Sequence, residues 1–214
     1  MDPKKAESPN RKSDPKKAES PCRKWGLKKG GCYPALFLSK ESYGIVKDLP
    51  HYREVCRFLN TVDSRVQYNK GARRPYVGIV LTVGSYRYFV PMESPKPNHK
   101  NLKASVHIMP LAGGRYGILG FNNMIPVPTS ALISFDIGKE PDRKYAELLK
   151  RQASYINKHK SDVFDRASRT YYLATTKNKD SFFVKVCCDF KKLESACGRY
   201  NPNFSPKRTG NSPK

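Results

Sequence analysis

The chain has no apolar run near the roughly 20 residues a membrane-spanning helix requires. Its N-terminus, Met1-Asp2-Pro3-Lys4-Lys5, is charged and has no apolar stretch, so no secretory leader is expected there. Acidic side chains are scarce: 18 Asp and Glu stand against 41 Lys and Arg, a formal net charge of +23. Such an excess repels itself in a compact fold unless a polyanion shares it, which points to nucleic acid or an anionic membrane. The tails lack a basic amphipathic helix with bulky apolar anchors, so the membrane is the weaker option. So few acids also disfavour a site built on two divalent cations. His51, His99, His107 and His159 are scattered along the chain. Cys22, Cys32, Cys56, Cys187, Cys188 and Cys197 form no CxxC pair, so reduced thiols in a cytoplasmic protein are expected rather than a zinc site or a disulfide framework. No Walker loop, HExxH, GxSxG or GxGxxG is present. Neither a cofactor nor a metal is expected.

What is present begins with a repeat. Residues 2–12 read DPKKAESPNRK and residues 14–24 read DPKKAESPCRK, differing at one position. Rich in Pro, Lys, Glu and Ser and without an apolar face, residues 1–31 cannot bury enough surface to offset their ordering entropy and read as a disordered basic arm. The stretch 198–214 has the same character. The middle, 32–197, reads as one folded domain that keeps a net +13 of its own, so its surface is itself suited to a polyanion.

Within the middle, turn residues separate short β segments. Strands are expected at Tyr33–Leu38, Pro75–Val83, Tyr86–Met92, Ala104–Leu111, Arg115–Phe121, Met124–Val127 and Ala131–Ile137. Helices are expected from Ser39 to about Asp48, over His51–Val62, from Asp142 to about His159, from Ser161 or Asp162 to about Thr176, and from about Asp189. The pattern describes an α+β fold: a strongly bent antiparallel sheet or small barrel with helices packed at one side.

The densest chemistry lies in PMESPKPNHKNLK, residues 91–103. Glu93, Ser94, Lys96, His99, Lys100 and Lys103 follow a strand, with Pro95 and Pro97 limiting backbone freedom. Ser94 and Lys96 can grip one phosphate from a rigid turn, with Arg74 clamping from a preceding segment. A solvated basic loop is the plain alternative. Metal-free RNA cleavage needs an aligned 2′-hydroxyl, a base for its proton and cations for the anionic phosphorane.

The stretch RPYVGIVLTVGSYRYFVPMESPKPNHKNLK resembles the core of the ToxN/AbiQ family, the endoribonuclease toxins of type III toxin–antitoxin systems. There, a basic residue precedes an aromatic-x-G-I-V-L strand, and a hairpin leads to a T-S-P-K-like turn and a trailing H-x-x-x-K. The matching positions here are Arg74, Tyr76–Leu81, Glu93–Lys96, and His99 with Lys103. The resemblance continues through NNMIPVP, ALISFDI and the YAELLKRQASYINKH helix, fades over 177–186 and returns at CCDFKKLE. It implies catalytic roles for Ser94, Lys96 and Arg74, with Tyr68 and Tyr43 assisting. Arg73, His99, Lys100, Lys103 and Glu93 are the expected RNA contacts. Glu93 stands where the family often has Thr, and it either points away from the phosphate, pairs with Arg74 or Lys96, or serves as the base. The His51–Val62 helix looks like an insertion between the two tyrosines. The resemblance further implies a sequence-specific enzyme leaving 2′,3′-cyclic phosphate and 5′-OH ends. Its inhibitor would be a small, pseudoknot-like antitoxin RNA that it processes from repeats and holds in an RNA–protein ring. Its substrates would be cellular and phage RNA, and its role abortive infection. A non-enzymatic basic nucleic-acid binder is the rival reading, favoured by the repeated arm and Ser205-Pro206-Lys207-Arg208.

Overall fold

The computed structural model describes residues 44–46, 50–67, 75–131 and 136–201. The basic tails, the expected strand Tyr33–Leu38 and most of the expected helix after Ser39 lie outside them. The fold is α+β. Strands β1 (Gly44–Val46), β2 (Tyr76–Val83), β3 (Tyr86–Glu93), β4 (Ile108–Pro110), β5 (Ile118–Gly120) and β6 (Ile125–Pro126) form a six-stranded sheet. Its order is β1-β2-β3-β5-β4, with β6 paired to β3, and every pairing is antiparallel. The sheet is open, with β1 and β4 at its ends, and does not close into a barrel.

β3 is the strand around which the rest is arranged. Its first half pairs with β2 through Val83↔Tyr86 and Leu81↔Tyr88, across a Gly84-Ser85 turn. It also pairs with β6 at Phe89↔Ile125 and with β5 at Met92↔Leu119 and Glu93↔Ile118. The β2–β3 register slips between Val77 and Leu81, an irregularity that sharpens the bend of a sheet. Gly78 lies in that slip because a Cβ there would sit 2.0 Å from the ring of Phe89; only glycine lets the ring lie against the backbone.

Helices α1 (Pro50–Val62), α2 (Arg143–Lys158), α3 (Lys160–Thr176), α4 (Phe182–Val186) and α5 (Phe190–Gly198) complete the fold. α3 lies against β2, α5 against β6, and α1 against α5. The apolar spacing of α1 buries Val55 and Leu59, and that of α2 buries Leu149, Gln152 and Ile156. Asp142 caps α2 by accepting from the amides of Lys144 and Tyr145. Strand, helix and helix meet at the buried Glu194 of α5. Its carboxylate accepts from Tyr88 Oη of β3 at 2.9 Å, Tyr171 Oη of α3 at 2.7 Å and Lys191 Nζ at 3.1 Å. Burial, with Glu194 beside it, pushes the Tyr88 phenol well up and the Tyr171 phenol up to about 12. Asp63, just after α1, makes a second such knot. It pairs with Arg65 at 2.8 Å and accepts from the amide of Asp189 at 2.6 Å. Cys56, Cys187, Cys188 and Cys197 are buried thiols, and burial pushes the Cys187 thiol up to about 12.

Three sequence expectations are corrected. Residues Gly44–Val46 are strand rather than helix, since pairing with β2 captures a Gly-Ile-Val segment of low helical preference. The strand expected over Ala104–Leu111 is cut to Ile108–Pro110. Thr170 Oγ1 of α3 donates to the Val106 carbonyl at 3.2 Å, and Arg166 donates to that of Ser105. Helix side chains thus take acceptors that a neighbouring strand would otherwise use. The strand expected over Ala131–Ile137 has helical turns at its ends, Thr129–Ala131 and Ile137–Lys139. Asp136 accepts from the amide of Gly138 and holds the second turn in place.

Candidate active site

β3 runs through the core as Tyr88, Phe89, Val90 and Met92 and emerges at Glu93. Pro95 and Pro97 cannot continue a ladder, so the chain leaves the sheet at Ser94. A single helical turn, Pro97–Asn101, then forms with Lys96 at its start in an extended conformation. The His99 amide donates to the Lys96 carbonyl at 3.0 Å and fixes the fold-back. Ser94 and Lys96 are thereby left on the surface, side by side on a stiff turn, with Lys100 and Lys103 exposed beyond them.

Two contacts to one carboxylate oxygen organise this turn. Lys96 Nζ donates to Glu93 Oε2 at 2.9 Å, and His99 Nε2 lies 3.9 Å from the same oxygen. Lys96 keeps 56% of its side chain exposed and Glu93 22%, so the ammonium remains open to an anion arriving from solvent. His99 is placed differently from the surface RNA contact expected of it. It is 4% exposed, and its ring fills the underside of the turn toward Glu93.

The turn rests on a glycine-bearing segment, of which the sequence reads residues 112–114 as a connection and 115–117 as the start of a strand that in the structure begins only at Ile118. Between β4 and β5, Gly114 and Gly117 have φ of +83° and +94°. A Cβ on Gly114 would stand 2.1 Å from the His99 carbonyl oxygen, and one on Gly117 1.9 Å from that of Glu93. Both glycines are required twice over, by the left-handed backbone and by the close approach. Behind them, Gln152 Nε2 of α2 donates to the Tyr116 carbonyl at 2.6 Å, tying the support to the helix. The doublet Gly113-Gly114 and Gly117 are the signals through which a reading of the sequence finds this support.

The opposite wall of the turn is β2. The Met92 amide donates to the Pro75 carbonyl at 3.0 Å, and Tyr76 is in register with Pro91. Arg73, Arg74 and Tyr68 precede Pro75 and, like Tyr43, lie outside the described residues. The structure thus brings Glu93, Ser94, Lys96 and His99 together and sets Pro75 against the end of the same strand.

The type III toxin–antitoxin family "Toxin ToxN" has a family model that matches residues 52–198. This chain belongs to the ToxN toxin family. Among ToxN relatives, the endoribonuclease ToxN of Bacillus thuringiensis subsp. kurstaki is 33% identical over 173 residues, covering 75% of this chain and 89% of its own length. The endoribonuclease AbiQ of Lactococcus lactis subsp. lactis is 30% identical over 160 residues, 69% of this chain and 85% of its own. The solved structure of AbiQ, a lactococcal anti-phage endoribonuclease, superposes with a TM-score of 0.64 at 26% identity, covering 75% of this chain and 98% of that one. A type III toxin inhibited selectively by a non-coding RNA pseudoknot superposes with a TM-score of 0.62 at 30% identity, covering 74% and 95%. The ToxN match opens at residue 52, inside α1.

Proposed function

We propose that this ToxN-family chain is an endoribonuclease toxin that cuts RNA without a metal ion, using the turn that follows β3. The observation that carries the reading is the pairing of an exposed Ser94 with an exposed Lys96 on one proline-stiffened turn, backed by Gly114 and Gly117. In the reaction, the 2′-oxygen of the nucleotide attacks the adjacent phosphorus, the bond to the 5′-oxygen breaks, and the ends are a 2′,3′-cyclic phosphate and a 5′-OH. The 2′-hydroxyl proton passes to a base, and the departing 5′-oxygen takes up a proton. Ser94 hydrogen-bonds and orients the phosphate. Lys96 and Arg74 stabilise its developing charge, Arg74 being joined directly to the Pro75 that is bonded to β3. Tyr68 and Tyr43 help to seat the substrate. Glu93 is the described acceptor within reach of the turn, and an incoming phosphate competes with it for Lys96. Arg73, Lys100 and Lys103 contribute phosphate contacts and a salt-dependent affinity.

The partner, on this reading, is a small structured antitoxin RNA, as the pseudoknot-inhibited relative's is. The toxin processes it from repeats and holds it in an RNA–protein ring. Release of the toxin during infection directs sequence-specific cleavage at cellular and phage RNA in the cytoplasm, consistent with AbiQ being an anti-phage enzyme. The test is incubation of the protein and its Ser94→Ala variant with single-stranded RNA in EDTA, followed by analysis of the ends. Cyclic phosphate ends from the parent alone are expected. Cleavage by the Ser94→Ala protein at the parent's rate overturns the role of Ser94, and binding without cleavage by the parent overturns the enzymatic reading.

A further inference from the structure

Phe182 is the most exposed large apolar side chain among the described residues, at 57%. It opens α4, in the stretch where the sequence departs most from the family pattern. The ring is not a loose surface phenyl. It meets Phe183 at a centroid distance of 5.5 Å and 86°, and His107 at 5.5 Å and 61°. Phe183 and His107 in turn meet at 5.7 Å and 90°. Three rings lock one another, so the orientation of Phe182 is set while more than half of it stays in solvent.

The support beneath is equally fixed. Arg65 Nη1 donates to the carbonyls of Val184 at 3.1 Å and Lys185 at 3.3 Å, and Asn122 Nδ2 donates to that of Val186 at 3.3 Å. His107 Nδ1 lies 3.5 Å from Ser105 Oγ, and burial holds the imidazole below its ordinary range, which keeps that ring uncharged at neutral pH. In the same segment of chain, Lys177, Lys179 and Lys185 are exposed cations. Asp180 is the acid among them, 3.8 Å from Lys185 and 92% exposed.

An apolar aromatic face held by two neighbouring rings, in a segment rich in exposed lysines, suits one chemistry above others. Nucleobases stack on it and the adjoining phosphates meet the lysines. A protein partner of ordinary composition would gain from the ring and lose to the excess of positive charge, three lysines against Asp180.

We propose that the Phe182 face is a stacking subsite for an unpaired base of a bound single-stranded RNA, with Lys177, Lys179 and Lys185 holding the flanking phosphates. The inference rests on the RNA-cleaving function proposed above and adds a second point of grip to it. His107 lies just before β4, whose partner β5 also pairs with the Glu93 end of β3. The subsite acts on binding and not on the reacting atoms.

The test uses the full chain carrying Ser94→Ala, so that bound RNA survives, and an oligoadenylate as the probe. Phe182→Ala and Phe182→Leu are expected to weaken binding about tenfold, the usual loss for one stacked base. Phe182→Trp keeps the affinity, and its added indole emission is quenched on binding. A duplex RNA binds the parent and the variants alike. In otherwise native protein, Phe182→Leu raises KM and leaves kcat unchanged. Parent-like affinity in Phe182→Leu overturns the subsite while leaving the cleavage reading intact. So does a change in self-association with unaltered RNA affinity, which would make the face a contact between copies. No RNA binding by the parent protein overturns both.

Discussion

Glu93 Oε2 and Lys96 Nζ stand 2.9 Å apart across the turn that carries Ser94. The contact gives the ammonium a partner, and on the proposed function it places a carboxylate where an incoming phosphate has to compete. Both side chains remain in contact with solvent, so the pair adds little to stability; its consequence is electrostatic.

Replacing Glu93 separates the two roles open to it. If the carboxylate only restrains Lys96, Glu93→Gln raises RNA affinity roughly fivefold, the size of one like-charge interaction at contact distance in water, and cleavage persists. If it takes the 2′-hydroxyl proton, cleavage falls by about a hundredfold or more while affinity rises. Binding and single-turnover cleavage measured on the same variant distinguish the two.

Gly117→Ala is expected to damage the turn from behind. Its φ is +94°, and its new methyl group would stand 1.9 Å from the Glu93 carbonyl oxygen, so the end of β3 has to move. A loss of at least ~2 kcal/mol is expected from the backbone conformation and the clash together, with a larger loss of cleavage. Gly113→Ala is the control. Its φ is +64° but nothing lies within 4 Å, so it costs only about 1 kcal/mol and cleavage is retained. Urea unfolding and cleavage rates on both variants check this.

Asp63 makes stability depend on acid. Burial pushes its carboxyl up, but the Arg65 side chain and the amides of Asp189 and Arg65 outweigh this, so its pKa falls below the ordinary 3.8. A folded-state pKa below the unfolded one stabilises the fold above the unfolded value and loses that contribution as pH falls through the folded value. Asp63→Asn is therefore expected to lower stability at neutral pH and to flatten the loss of stability below about pH 4. Thermal melts between neutral pH and pH 3 give the comparison; parallel curves for parent and variant would show that Asp63 is not responsible.

Glu194→Ala removes the shared acceptor of Tyr88, Tyr171 and Lys191. Two buried phenols then lose the acceptor of their hydroxyl protons, although Tyr171 still accepts from Lys191, and a loss of about 2–4 kcal/mol is expected. Glu194→Gln keeps an acceptor oxygen and is expected to lose less. Urea midpoints rank the three proteins.

Much of this was legible in the chain. The β2–β3 hairpin shows as an apolar run broken by Gly-Ser. α2 shows as apolar spacing behind an aspartate cap, and the turn shows as serine and lysine between prolines. These are local patterns, and local conformational preference decides them. Other features depended on distant partners. Residues 44–46 became strand because β2 offers them a ladder, and 105–106 left the sheet because α3 side chains took their carbonyls. His99 reads as a surface histidine beside two lysines, yet it is buried because residues 112–117 fold over it.

The sequence by itself determined the excess of positive charge, the α+β pattern, the family and the Ser94-Pro95-Lys96 turn after β3, since composition, periodicity and motif reside in the order of residues. Tertiary structure alone decided which groups face one another. It brought Glu93 to Lys96 and His99, seated the turn on Gly114 and Gly117, and locked Phe182 against His107 across 75 positions of chain. The physical reason is that such contacts follow from sheet register and helix packing, which are settled by burial of the whole core and not by any segment's own preference.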